Sequence, residues 1–152
     1  MKKILLFVIV AVFSISAFSQ APLNKGQKQL NMGLGMSGNG LPAYIGMDFA
    51  IHPDITLGGE LAFNMDGFDY VVPRFVANYH FNTLIGIPPE FDFYAGANVG
   101  FLVWFGDGED ISGLDLGLQV GGRWYWNDKW GLNLEFAGGS GWGTKFGVSM
   151  KM

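Results

Sequence analysis

Cysteine is absent from the chain. No disulfide can staple it, and lipid-anchored exported proteins, which need a cysteine at their cleavage site, are excluded; stability must come from packing or from closing a sheet. Charge is scarce: 14% of residues are charged, where an ordinary soluble domain carries about 25%. A water-facing surface is hard to assemble from that inventory, so something other than water is expected to solvate part of it. Basic residues are the scarcer sign, 9 against 13 acidic ones, which argues against nucleic acid as a partner. Sustained helical periodicity is also missing after the first twenty residues.

The first residues read as an address. Lys2 and Lys3 precede the apolar run "ILLFVIVAVF", and small residues follow, ending in "SAFSQ". Ala17 and Ser19 fit the minus-three and minus-one positions of a secretory signal, with cleavage before Gln20. Residues 1–19 are therefore expected to be a cleaved signal peptide and residues 20–152 a single domain. The apolar run is short for a spanning helix, which needs about 20 residues.

What the remainder has in quantity is glycine, 24 residues, and aromatics, 16%, set in a period-two alternation broken by Gly, Pro, Asn and Asp clusters. Eight alternating segments are expected: 29–37, 43–52, 55–66, 70–81, 91–105, 113–126, 130–138 and 142–152. Sorting each by parity gives one wholly uncharged apolar face, for example Ile45, Met47, Phe49 and Ile51 in the second segment and Leu116, Leu118, Val120, Trp124 and Trp126 in the sixth. The opposite face collects Gly, Asn, Ser and nearly all the strand charges.

Alternation alone does not say which face is inside. A soluble lipid-carrying barrel would put the apolar face inward. The polar face here is mostly glycine and small amides with few lysines, which suits a narrow packed interior better than a wet surface, and segments of about 9–11 residues match a tilted strand crossing a bilayer. The expected fold is an all-β, eight-stranded antiparallel up-and-down transmembrane β-barrel with apolar residues facing lipid. With the N-terminus on the periplasmic side, Tyr79, Phe81, Phe91, Phe93, Trp124, Trp126 and Trp130 fall near the periplasmic rim, and Phe63, Phe105 and Trp142 near the opposite one. Two aromatic girdles are what membrane interfaces favour.

The inward charges, Asp48, Glu60, Arg74, Asp115, Arg123, Glu135 and Lys145, then form a mixed-sign lumen network. Pairing the third and fourth strands around the "GF" turn sets Glu60 opposite Arg74. Pairing the seventh and eighth around Ser140 sets Glu135 opposite Lys145, with Arg123 across or diagonal to Glu135. For the fifth and sixth strands, a register placing Gly96 beside Arg123 would leave room for the long side chain. The network reads as a gate, as a narrow polar path or as structural packing. Packing is favoured, because an eight-stranded barrel is just wide enough for side chains to fill.

Catalytic signatures are sparse. His52 and His80 fall at the turn ends of the second and fourth strands, where they read as polar rim residues. His80 has no serine beside it in sequence, so a Ser-His-acid arrangement, recognised by geometry and not by order, is not expected. The acidic turns gather Asp66, Asp69, Asp107, Glu109 and Asp110. Weak divalent-ion binding at Asp107, Glu109 and Asp110 is the one metal reading, set against plain solvated turns because the spacing of a calcium loop is missing. No cofactor is expected.

The "AFSQ" cleavage site, the eight segments, the "GGRWYW" strand before a short turn and the last strand "WGTKFGVSMKM" together resemble the small outer-membrane β-barrel family. The chain is similar to OmpX-like proteins and the OmpA transmembrane domain, in a form common in Bacteroidetes. The resemblance covers residues 28–152 and rests on pattern. It implies residence in the outer membrane of a Gram-negative bacterium, contact with outer-membrane lipids, delivery to the barrel-insertion machinery through the C-terminal strand, a monomer, and a structural or interaction role without catalysis. Met152 stands where the family usually ends on an aromatic, and the loops expected outside are short. A narrow pore, a lipid-modifying enzyme and a soluble periplasmic carrier are the alternatives.

Overall fold

The computed structural model describes residues 22–37, 40–105, 113–138 and 143–152. The expected signal peptide, Trp142, Asp107, Glu109 and Asp110 lie outside the described residues. Eight strands run in chain order: β1 Lys28–Met36, β2 Pro42–His52, β3 Ile55–Asn64, β4 Tyr70–His80, β5 Phe91–Trp104, β6 Gly113–Tyr125, β7 Trp130–Gly138 and β8 Thr144–Lys151. Each pairs antiparallel with its sequence neighbour, and β8 returns to β1 from Gln29↔Lys151 to Met36↔Thr144, closing the barrel. Closure leaves no edge strand to template further pairing.

Turn chemistry sets the shorter connections. At the β6–β7 turn the Asn127 Oδ1 accepts from the amides of Lys129 and Trp130, at 2.9 and 2.7 Å, an Asx-type turn. The longest described connection, between β4 and β5, holds a single helical turn, α1 (Asn82–Ile85), which ends on Gly86 at φ 71°, the left-handed region that glycine enters without a Cβ penalty.

Parity governs burial on every strand. Outward positions are apolar and open, as with Leu118 at 73% and Leu114 at 66% exposure. Among the described residues, Lys28 at the end of β1 is the single charged outward strand residue, with its Nζ 5.7 Å from the Phe49 ring centre. Inward positions are polar, including Asp48, Arg74, Asp92, Asp115, Arg123 and Lys145. Toward the β3–β4 turn the interior changes character: Tyr44, Ala62, Tyr70 and Val72 form a small apolar cluster backed by Leu102 and Trp104.

Glycine makes this interior possible. The large inward side chains stand opposite glycines on the next strand: Tyr94 faces Gly121, Tyr125 faces Gly131, Arg74 faces Gly100 and Asp48 faces Gly58. A Cβ at Gly121 would sit 2.4 Å from the Tyr94 ring, and one at Gly100 would sit 2.6 Å from the Arg74 Cγ. The bared backbone is the bed on which each long side chain lies.

Candidate functional site: the lumen network

Glu60, Arg74, Gly100 and Asp115 occupy one row of register across β3 to β6. The Arg74 side chain runs over Gly100, and its Nη2 lies 2.6 Å from Asp115 Oδ2, whereas Glu60 Oε1, directly opposite in register, is 3.7 Å from Nη1. Glu60 makes its short contact elsewhere: Lys145 Nζ lies 2.7 Å from Glu60 Oε2 and 2.7 Å from Glu135 Oε1. The Tyr94 hydroxyl donates to the other oxygen of Glu135 at 2.8 Å. Two cations and three carboxylates thus form one cluster, all in a site where an unpaired charge would be expensive.

A second cluster centres on Arg123, whose Nη2 donates to Asp48 at 2.9 Å and whose Nη1 donates to Asp92 at 2.8 Å. The guanidinium lies 4.2 Å from the Tyr94 ring centre, a cation–π contact strengthened by desolvation. Asp48 also accepts from Asn31 at 2.8 Å. From Asn31 the chain of hydrogen bonds continues through Ser149 and Asn133 to the Tyr44 hydroxyl, and through Gln29 to the Tyr125 hydroxyl.

Two expectations are corrected here. The β5–β6 register sets Gly96 opposite Gln119 and Arg123 opposite Asp92, four residues from the pairing expected, and Arg123 takes its charge partners from Asp48 and Asp92 with Glu135 only diagonal to it. His80 is not a rim residue: it is buried, its Nδ1 2.7 Å from Asp92 Oδ1 and its Nε2 3.0 Å from Thr56 Oγ1. A carboxylate only accepts, so the Nδ1 carries the proton. Asp92 was missed, although its place between outward Phe91 and Phe93 is an inward-parity signal that the sequence carries. His52 does lie exposed at the turn, beside Asp54.

Asp92, His80 and Thr56 reproduce the atom order of an acid-oriented histidine beside a hydroxyl. All three are sealed, at 0, 1 and 1% exposure, and Asp92 is shared with Arg123. A cavity of about 20 Å³ lies in the middle of the lumen, against Asp48, Glu60, Arg123, Glu135 and Lys145, and does not reach Thr56 or His80. It has room for about one water and none for a substrate beside the histidine. Among the described residues, no group of three or more His, Cys, Asp or Glu is arranged to hold a metal ion.

The described aromatic residues expected at the rims lie toward the two ends of the strands, whereas outward Phe75 stands at the middle of β4. Tyr79 packs edge-on to Phe81, Phe91 is paired in register with Trp124, and the Trp126 amide donates to the Trp130 carbonyl, all at one rim. Phe93 lies one outward position in from that rim, while Phe63 and Phe105 lie at the other end, with Phe63 stacked on Phe68.

No protein-family model and no curated protein matches the chain. Solved structures do. The N-terminal β-barrel domain of Pseudomonas aeruginosa OprF matches at a TM-score of 0.71 with 13% identity, covering 86% of this chain and 100% of that one. A de novo designed transmembrane β-barrel matches at 0.67 with 14% identity over 86% and 98%. The Yersinia pestis outer membrane protein Ail matches at 0.52 with 18% identity over 84% and 99%. At these identities the likeness is one of fold, and the chain has the fold of the closed eight-stranded antiparallel barrels.

Proposed function

We propose that the chain is an integral outer-membrane protein whose barrel spans the bilayer with a side-chain-filled lumen and serves a structural or interaction role, without catalysis. The observation that carries this reading is the inverted burial among the described residues: outward strand positions are uncharged apart from Lys28 at the end of β1, and the interior is a network of buried ion pairs around a mid-lumen cavity with space for about one water. A soluble carrier would need those faces exchanged. The solved barrels of the same fold are described by their names as transmembrane or outer-membrane proteins, which supports the location. The leader at residues 1–19 would export the chain. The outward series Phe146, Val148 and Met150 of the last strand would present it to the insertion machinery.

The test has two parts. Protein extracted from membranes should shift on gels with boiling, because a closed barrel resists dodecyl sulfate until its internal ladder is melted. The same protein in a planar bilayer should give no large steady single-channel current; such a current would overturn the sealed lumen. The narrow-pore reading rests on the mid-lumen cavity lying against Glu60 and Lys145. It predicts that Glu60→Ala or Arg74→Ala changes ion flux, and unchanged flux would dismiss it.

A further inference from the structure

The outward wall is not uniformly filled. In one register row, Phe93 on β5, Gly122 on β6 and Leu134 on β7 stand side by side, two large side chains flanking a position with none. In the next row Ala95 precedes Val120 and Phe136. The result is a trough of about 840 Å³ on the lipid-facing side, floored by backbone at Gly122, bounded by Trp124 toward the rim and, beyond Leu134 in the same register row, by Phe146. The volume is in the range of small-ligand sites, although it lies on the outside of a cylinder. A Cβ on Gly122 would come 3.3 Å from the Phe93 ring, so even one added carbon crowds the floor.

We infer that this trough holds one acyl chain of a phospholipid from the leaflet at the Trp124 rim, as a specific site distinct from the lipid that wets the rest of the wall. The inference rests on the membrane-spanning reading. The lining side chains that face outward are apolar, and the floor lies in the paired β5 to β8 ladder. A peptide laid there would bring backbone polar groups with no partner in hydrocarbon, whereas an acyl chain brings none. Hydrophobic transfer gives no preference between bulk lipid and the trough; the preference comes from close dispersion contact with the Phe93 ring on one flank and the Leu134 side chain on the other. The Trp124 rim is also the end at which β1 begins and β8 finishes, the side expected to face the periplasm and therefore its phospholipid leaflet.

The experiment uses full-length protein from membranes, reconstituted in vesicles of phosphatidylethanolamine and phosphatidylglycerol, re-extracted in mild detergent and weighed by native mass spectrometry. Wild type is expected to carry a one-to-one phospholipid adduct. Gly122→Leu, which fills the floor, should lose it. Gly59→Leu should keep it, because Gly59 is also an outward mid-strand glycine but stands between Met47 and Phe75 on another wall. Ala95→Phe, filling the trough from the next row, gives a second reading should Gly122→Leu misfold. No adduct in wild type, or equal adducts in wild type and the filled variants, overturns the inference. So does a dimer that only the filled variants lose, which would put a second copy in the trough. Loss of the heat-dependent gel shift in wild type overturns the membrane reading as well, and is separately visible.

Discussion

Arg123→Met is the most informative single change. Methionine keeps much of the apolar stem that lies over the Tyr94 ring and removes the charge held at 2.9 Å from Asp48 and 2.8 Å from Asp92. Asn31 and His80 remain as partners of the two carboxylates, but neither replaces a guanidinium. Removing one side of a buried pair costs about 3–5 kcal/mol. Here one cation serves two buried carboxylates, so a loss of about 4–5 kcal/mol is expected. Adding Asp48→Asn and Asp92→Asn removes the orphaned charges and should return the protein to within about 1–3 kcal/mol of wild type, the remainder reflecting imperfectly paired amides. The assay is urea unfolding of protein folded into vesicles, followed by tryptophan emission and the heat-dependent gel shift. A loss below about 1 kcal/mol, the worth of a solvent-exposed pair, or a triple variant less stable than the single one, would refute the reasoning.

Gly121→Val should be destabilising by about 1–3 kcal/mol through overpacking against Tyr94, while Gly113→Ala, whose Cβ would meet nothing within 4 Å, should fold as wild type in the same titration. Leu118→Arg places a charge on the most exposed outward leucine and should cost about 2–4 kcal/mol in vesicles; a neutral result would place that wall in water. His80→Ala strips buried Asp92 and Thr56 of a partner and should cost about 1–3 kcal/mol in stability, with the lipid acylation profile of overexpressing cells unchanged. An altered profile that this substitution abolishes would instead assign the histidine a catalytic part.

Much of this architecture is written in the chain, because a barrel strand has only two faces. Once the period is two, parity sorts Asp48, Arg74 and Lys145 onto one face and Ile45, Phe75 and Phe146 onto the other, the glycine-rich and lysine-poor composition of the first face turns it inward, and each strand boundary follows to within two residues from Gly, Pro, Asn and Asp. Register was equally legible where a short turn fixes it, so Glu60↔Arg74 and Glu135↔Lys145 stand opposite as the spacing requires. It failed between β5 and β6, where a connection of eight residues sets no register and the pairing slid by four.

Only the closed barrel decided who pairs with whom. Strands lie about 4.8 Å apart, while Arg and Lys side chains reach farther, so a cation need not take its register neighbour. Arg74 passes over Gly100 to Asp115, and Lys145 crosses the lumen to Glu60, 85 positions away in sequence. His80 was misread for the same reason: its burial comes from Thr56 on β3 and from Asp92 on β5, itself held by Arg123 on β6, and nothing in its local sequence announces them. Local alternation determines the face of each residue; three-dimensional closure determines its partner.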